Sequence, residues 1–310
     1  MTRTSTRLRA LFETGKTVVK PGTYDALSAV VAERAGFKCC GLSGYAVSAA
    51  LLGRPDVGLV TMTEMVDVAR RITHAVSIPL IADVDTGYGN AINAIRTAEE
   101  FITAGVAGFH IEDQVAPKRC GHFAGKQIIP VEEMVGKLRA VDHVRKELDP
   151  DFLLIARCDA RGVAGGSVDA LIERSNRYLD AGADHIFPEG LTSEEELVRC
   201  VREINGPIHY NRAGISPRIP LARLNEIGVA LVSNATGALR ASAAALVDYL
   251  DDFMRDDVEA VVRYEKSRTD RQHPTAAMHA FLGLERIHEL EKEFLPADAA
   301  AKYEGSLGYR

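Results

Sequence analysis

Residues 102–113, "ITAGVAGFHIED", decide the fold. A helical-period run ends on Ala-Gly, and a short β-rich run follows it and closes on acids. The same order returns in "AERAGFKCC" (32–40) and "LDAGADHIF" (179–187), while "TEMVDVARRITHAV" (63–76) and "DALIERSNRYLDAGAD" (169–184) show the amphipathic period of helices. Working outward, β-rich runs fall near 17–22, 39–44, 78–85, 108–113, 152–159, 185–190, 207–211 and 230–235, eight in all. Such alternation implies parallel strands joined by crossover helices, and eight units imply an α/β fold of the (β/α)8 TIM barrel kind. A doubly wound open sheet is the alternative.

The chain of 310 residues, 46% hydrophobic and 26% charged, can bury a large core, and a barrel of ~250 residues with additions fits it. The expected division is a barrel over residues 1–250 and a C-terminal helical extension over 251–310. A net charge of −6 argues against nucleic acid or anionic membrane as the main partner and favours small molecules. No apolar run approaches the ~20 residues of a membrane span, and "MTRTSTRLRALFETGK" lacks a signal-type apolar region, so a cytoplasmic protein is expected. The five cysteines, at 39, 40, 120, 158 and 200, lack paired metal-ligand spacing and suit a reducing compartment.

In a barrel all strand ends reach one rim. Those ends read Ser43, Asp83 and Asp85, Glu112, Arg157 and Asp159, Glu189, Asn211, and Asn234. Seven consecutive strands ending in acid, amide, hydroxyl or guanidinium point to a site at that mouth. Asp83 and Asp85, two apart in "DVDTGYGN" (83–90), would share one face of a strand and with Glu112 form an oxygen-rich cluster for a hard divalent cation. The alternative has Asp83 capping the next helix and Asp85 ordering the turn. Arg157 could fork onto a substrate carboxylate or pair with Glu112 or Glu189.

One loop stands apart. "EDQVAPKRCGHFAGK" (112–126) sets Cys120 among Lys118, Arg119 and His122, a setting expected to lower a thiol pKa and to attract an anionic substrate. Gly121 and Gly125 would let the loop fold over a bound acid and exclude water.

"EDQVAPKRCGH", with "DVDTGYG", "SGYAVSAALLGRPDVG" (43–58) and "ARCDA" (156–160), resembles the isocitrate lyase and phosphoenolpyruvate mutase superfamily over roughly residues 7–250. The lyase branch is the most similar, that of 2-methylisocitrate lyase, 2,3-dimethylmalate lyase and the oxaloacetate hydrolases with 2-alkylmalate lyase activity. The resemblance implies a homotetramer whose C-terminal helices are swapped between subunits. It also implies a magnesium ion, or manganese, near Asp83, Asp85 and Glu112, with Asp56 ordering the site. A substrate-binding set of Ser43, Gly44, Tyr45 and Arg157 would hold the pyruvate-like half. Cys120 would be the catalytic acid, assisted by Lys118, Arg119 and His122. The implied reaction cleaves a C–C bond of a 2-hydroxy di- or tricarboxylic acid, and the thiol protonates the departing carbanion.

Three positions depart from the pattern. Gly41 stands where the isocitrate and methylisocitrate lyases usually carry a tyrosine proposed as base, while Tyr45 follows the Ser-Gly pair. "NRAGISPRIP" (211–220) keeps Asn211 and Ser216 but introduces Arg212 and Arg218, which either read an extra substrate carboxylate or pair with Glu189 or the surface. Cys158 replaces the usual threonine beside Arg157. Phosphonate mutase chemistry is disfavoured by the Lys-Arg-Cys-Gly-His run. Oxaloacetate hydrolysis or decarboxylation would use the same metal site. A non-catalytic metabolite-binding barrel would have lost some rim residues, and none of Asp83, Asp85, Glu112, Cys120 and Arg157 is missing.

Overall fold

The computed structural model describes residues 2–121, 123–267 and 278–296. Eight strands run in parallel: β1 (Val18–Thr23), β2 (Cys40–Leu42), β3 (Leu80–Asp83), β4 (Gly108–Glu112), β5 (Leu153–Cys158), β6 (His185–Pro188), β7 (His209–Asn211) and β8 (Leu231–Asn234). Each expected strand is present, β1 shifted by one residue and the others trimmed at one or both ends. β1 pairs with β2 on one side and β8 on the other, so the sheet order β6-β5-β4-β3-β2-β1-β8-β7 curls round on itself and the open-sheet alternative falls. The remaining seam, β6 against β7, is joined by the single bridge Ile186↔Ile208. The result is a nearly closed (β/α)8 TIM barrel.

The helices start where their caps say. Asp25 with Ser28, Thr61 with Glu64 and Asn90 with Asn93 form capping boxes, while Ser167 and Ser193 each accept a first-turn amide. Their apolar faces lie on the strands, where Phe101, Phe109 and Phe152 meet edge to face. The barrel interior has a second, smaller core of Leu8, Val18, Ile81, Leu153, Ile155, Phe187 and Leu231.

The chain divides into two compact units, Met1–Ala241 and Ser242–Arg310, so the break falls inside the helix Gly237–Asp256. In the second unit the helices Val258–Lys266, Met278–Phe281 and Leu284–Phe294 follow. No helix among the described residues is long and apolar enough to cross a membrane.

Candidate active site

Because side chains alternate along a strand, one set from each strand faces the barrel axis. Lys20 and Gly22, Gly41 and Ser43, Asp83, His110, Arg157, Phe187 and Glu189, Asn211, Ser233 and Ala235 line one cavity of about 150 Å³, together with Tyr45, Asp56 and Cys120. Of the rim residues expected from the sequence, Ser43, Asp83, Arg157, Glu189 and Asn211 line this cavity, whereas Asp85, Glu112 and Asp159 do not and Asn234 is exposed beside Gly237. The layer beneath them, Lys20, His110, Phe187 and Ser233, was not anticipated, although the same two-residue period points to it. Arg240, from the helix Gly237–Asp256, also reaches the cavity and carries no motif that would have marked it.

The acids meet by a route other than the one expected. β3 ends at Asp83, and Asp85 lies beyond it with φ of 48°, so the two do not share a strand face. Asp83 does not cap the helix that follows it; Asn90 does that. Instead Asp83 Oδ2 accepts from the Gly44 amide at 3.2 Å and Oδ1 from the Asp85 amide at 3.1 Å, with His110 Nδ1 at 3.6 Å from Oδ1. A Cβ on Gly44 would sit 2.8 Å from Asp83 Oδ2, which is why glycine follows Ser43.

Lys118 enters this cluster. Its ammonium is 2.7 Å from Asp56 and 2.9 Å from Asp85. Burial pushes Asp85 up to about 6, helped by Asp83 and Asp56 and opposed by Lys118. Burial also pushes Glu112 well above the carboxylate range, against Arg157 and Lys118. Burial acts on Asp83 in the same sense, yet His110, Lys118 and Arg157 together draw it below its ordinary value.

Arg157 is ringed by carboxylates: Asp159 at 2.9 Å, Glu112 at 3.0 Å and Glu189 at 3.6 Å. The ion-pair alternative therefore describes it, with Asp159 as the partner that sequence reasoning did not name. Both Glu112 oxygens are buried without an aligned hydrogen bond, as is the Tyr88 hydroxyl.

The loop is folded over the mouth. The Cys120 amide donates to the Asp56 carbonyl at 3.2 Å, and its own carbonyl accepts from Phe123 at 2.8 Å. Lys126 ties the loop down by donating to the Gly121 carbonyl at 2.5 Å and to Asp159 at 2.9 Å. Gly121 packs so closely that an added Cβ would collide with the Arg157 guanidinium and lie 2.8 Å from the Glu189 carboxyl carbon.

Not every named residue joins. Arg119 turns to the Ala124 carbonyl, 3.5 Å away, and its backbone is held by Gln114. Arg212 donates to the Ile219 carbonyl at 3.4 Å, and Arg218 to the carbonyls of Ser216 and Gly214. These two arginines therefore brace their own loop and do not pair with Glu189. Ser216 is buried in that loop, outside the cavity lining. His122 lies outside the described residues.

Do these residues suit a magnesium ion? Among the described residues no three His, Cys, Asp or Glu side chains stand in a ready ligand arrangement. The donor chemistry nonetheless fits: Asp83, Asp85, Glu112 and Asp56 are hard oxygens, and the buried Glu112 oxygens have the Arg157 ion pair but no aligned hydrogen bond. A cation would answer the like-charge strain that Lys118 now relieves for Asp56 and Asp85.

A barrel with acids, an arginine and a thiol-bearing loop at one mouth defines a class of enzyme acting on small anions. The family model for phosphoenolpyruvate phosphomutase matches residues 8–254. Over 293 residues the chain is 41% identical to 2,3-dimethylmalate lyase of Eubacterium barkeri, covering 94% of this chain and 98% of that one. It is 39% identical to 2-methylisocitrate lyase of Aeropyrum pernix over 287 residues, covering 92% and 88%. Among solved structures, oxaloacetate acetylhydrolase in complex with 3,3-difluorooxalacetate superposes with a TM-score of 0.85 at 33% identity, covering 94% of this chain and 96% of the other. Phosphonopyruvate hydrolase in complex with oxalate and magnesium superposes at 0.83 with 27% identity, covering 95% and 100%. The chain belongs to the PEP mutase/isocitrate lyase superfamily. Its homologues include enzymes named as lyases.

Proposed function

We propose that the chain is a carbon–carbon lyase that cleaves a 2-hydroxy di- or tricarboxylic acid to a 2-oxo acid such as pyruvate and a second carboxylate such as succinate. The observation that carries this reading is Cys120, held on a closed loop against the same cavity as Arg157 and Asp83. A proton donor poised across a cavity from an anion-binding cluster suits a reaction that makes a carbanion beside a carboxylate.

Magnesium, or manganese, held by Asp83, Asp85 and Glu112 with Asp56 behind them, would supply positive charge for the substrate's oxygens. Arg157 orients a substrate carboxylate by exchanging one of its present carboxylate partners for it. Ser43 and Tyr45 shape the wall for the 2-oxo half, with the Gly44 amide between them holding Asp83, and Glu189 and Asn211 shape another part of the wall. Cys120 Sγ delivers its proton to the departing carbon. Lys118, from within the acid cluster, fixes the loop that carries the thiol. The closed loop excludes water, which favours cleavage over hydrolysis of oxaloacetate at the same site.

The reading includes assembly into a homotetramer through exchanged C-terminal helices in a cytoplasmic setting. The helix Gly237–Asp256 supports this, since Leu246, Val247, Leu250 and Met254 are exposed along it. The test of activity is release of 2-oxo acid by purified protein with magnesium from 2-methylisocitrate, 2,3-dimethylmalate and isocitrate, beside oxalate release from oxaloacetate. Release of a 2-oxo acid from at least one of the hydroxy acids supports the lyase reading; oxalate alone supports the hydrolase.

A further inference from the structure

The floor of the cavity holds a cation for which the site as described has no use. Lys20 projects from β1, is 4% exposed, and meets the outside only through the cavity that it helps to line. No hydrogen bond or ion pair joins it to another of the described residues. Of the other cations here, Arg157 is engaged by three carboxylates, Lys118 by Asp56 and Asp85, and Lys126 by Asp159 and the Gly121 carbonyl, while Arg240 lies exposed at the rim.

Its position depends on Gly41. Strand β2 lies beside β1, and a Cβ on Gly41 would meet Lys20 Cδ at 2.9 Å, Cε at 3.0 Å and Cγ at 3.1 Å. The lysine stem thus lies across the face of the neighbouring strand, in the volume that any larger residue at 41 would claim. The floor around it holds Leu42, Phe187, Ser233 and the neutral ring of His110, and the anion of the lining whose charge reaches it, Asp83, makes no ion pair with it and is committed to the Gly44 and Asp85 amides. A buried ammonium with no partner is costly, and one facing a cavity is stabilised when a bound anion reaches it.

We propose that Lys20 is a specificity-determining residue whose ammonium, made room for by Gly41, receives a carboxylate of the substrate at the cavity floor. The assignment rests on the lyase reading for the identity of the substrate but not for the contact itself. It means that the group pointing to the floor is an acid arm, so a tricarboxylic hydroxy acid is preferred over one with a methyl group there.

The test uses two unreactive acids that differ by that arm, propane-1,2,3-tricarboxylate and 2-methylsuccinate, titrated calorimetrically into the full chain with magnesium. The native protein is expected to bind the tricarboxylate at least tenfold more tightly. Lys20→Met should bring the two acids within about twofold of each other, a roughly fivefold loss, or ~1 kcal/mol, of discrimination. Gly41→Ala, which changes no charge but displaces the lysine stem, should shrink the preference in the same direction and so separates contact from the general field of a cation. A native protein with no preference, or a Lys20→Met protein that keeps it, overturns the assignment. If the preference is present and Lys20-dependent but no hydroxy acid yields a 2-oxo acid, the lyase reading fails while the floor contact stands.

Discussion

Lys126 and Asp159 form a wholly buried ion pair, 2.9 Å apart, and the same ammonium holds the Gly121 carbonyl. The loop bearing Cys120 is therefore latched to the end of β5, beside Arg157. Lys126→Met removes the latch and leaves Asp159 to Arg157 alone. Faster proteolytic cleavage within 118–126 and a kcat/KM at least roughly tenfold lower are expected. Native cleavage rates in the variant would show that the latch does not hold the loop.

Cys120→Ser and Cys120→Ala should lower kcat roughly hundred- to ten-thousandfold, the range of a lost general acid. Oxalate binding, measured by calorimetry, should change little, because the thiol serves the proton and not the anion. Undiminished turnover in either variant removes Cys120 from the chemistry.

Gly121→Ala should act on catalysis more than on folding. The added methyl collides with the Arg157 guanidinium in the closed position that the loop adopts. A kcat lower by roughly hundredfold is expected with a near-native melting temperature, since small displacements of reacting groups carry costs of that size. A matching fall in melting temperature would instead make Gly121 a packing residue.

Asp85→Ala should abolish the rise in melting temperature that magnesium gives the native protein, and with it the turnover that chelator removes. Lys118 would keep Asp56 as a partner, so the fold should survive. Full activity of the native enzyme in excess chelator would sink the magnesium assignment.

The barrel interior should make the protein sensitive to acid. Burial pushes His185 down to about 4 and His209 well below its ordinary value, and each has a buried Nδ1 without a hydrogen-bond partner. A depressed histidine binds fewer protons folded than unfolded. Stability is therefore intact above the ordinary value of 6.5 and is lost as pH falls toward about 4, by on the order of 3 kcal/mol for His185. The urea midpoint should drop between pH 7 and pH 5, and His185→Gln should flatten that slope. A slope equal to the native one would assign the acid sensitivity elsewhere.

The barrel was legible because strand, helix and Ala-Gly recur with parallel-sheet spacing, and the rim was legible because polar residues at strand ends break an apolar pattern. Asp83, Cys120 and Arg157 line one cavity, while Asp85 and Glu112 lie behind it against Lys118 and Arg157. Three things were hidden. Asp85 leaves the strand through a left-handed backbone step, which no two-residue period reveals. Lys118 and Arg119, adjacent in sequence, point to different places, one into the acid cluster and one toward Ala124. Lys20 lies mid-strand, where a charged residue reads as an outward-facing side chain until the neighbouring glycine shows where its stem goes.

The seam between β6 and β7, closed by one bridge, separates Glu189 on one stave from Asn211 on the other. Backbone amides along it should exchange with solvent sooner than those of β4 and β5, which share five paired residues. The width of the mouth between Glu189 and Asn211 is then the dimension that can drift during evolution at least expense to the barrel. Lineages with the same acids and the same thiol could come to accept larger or smaller leaving arms by loosening or tightening this one joint.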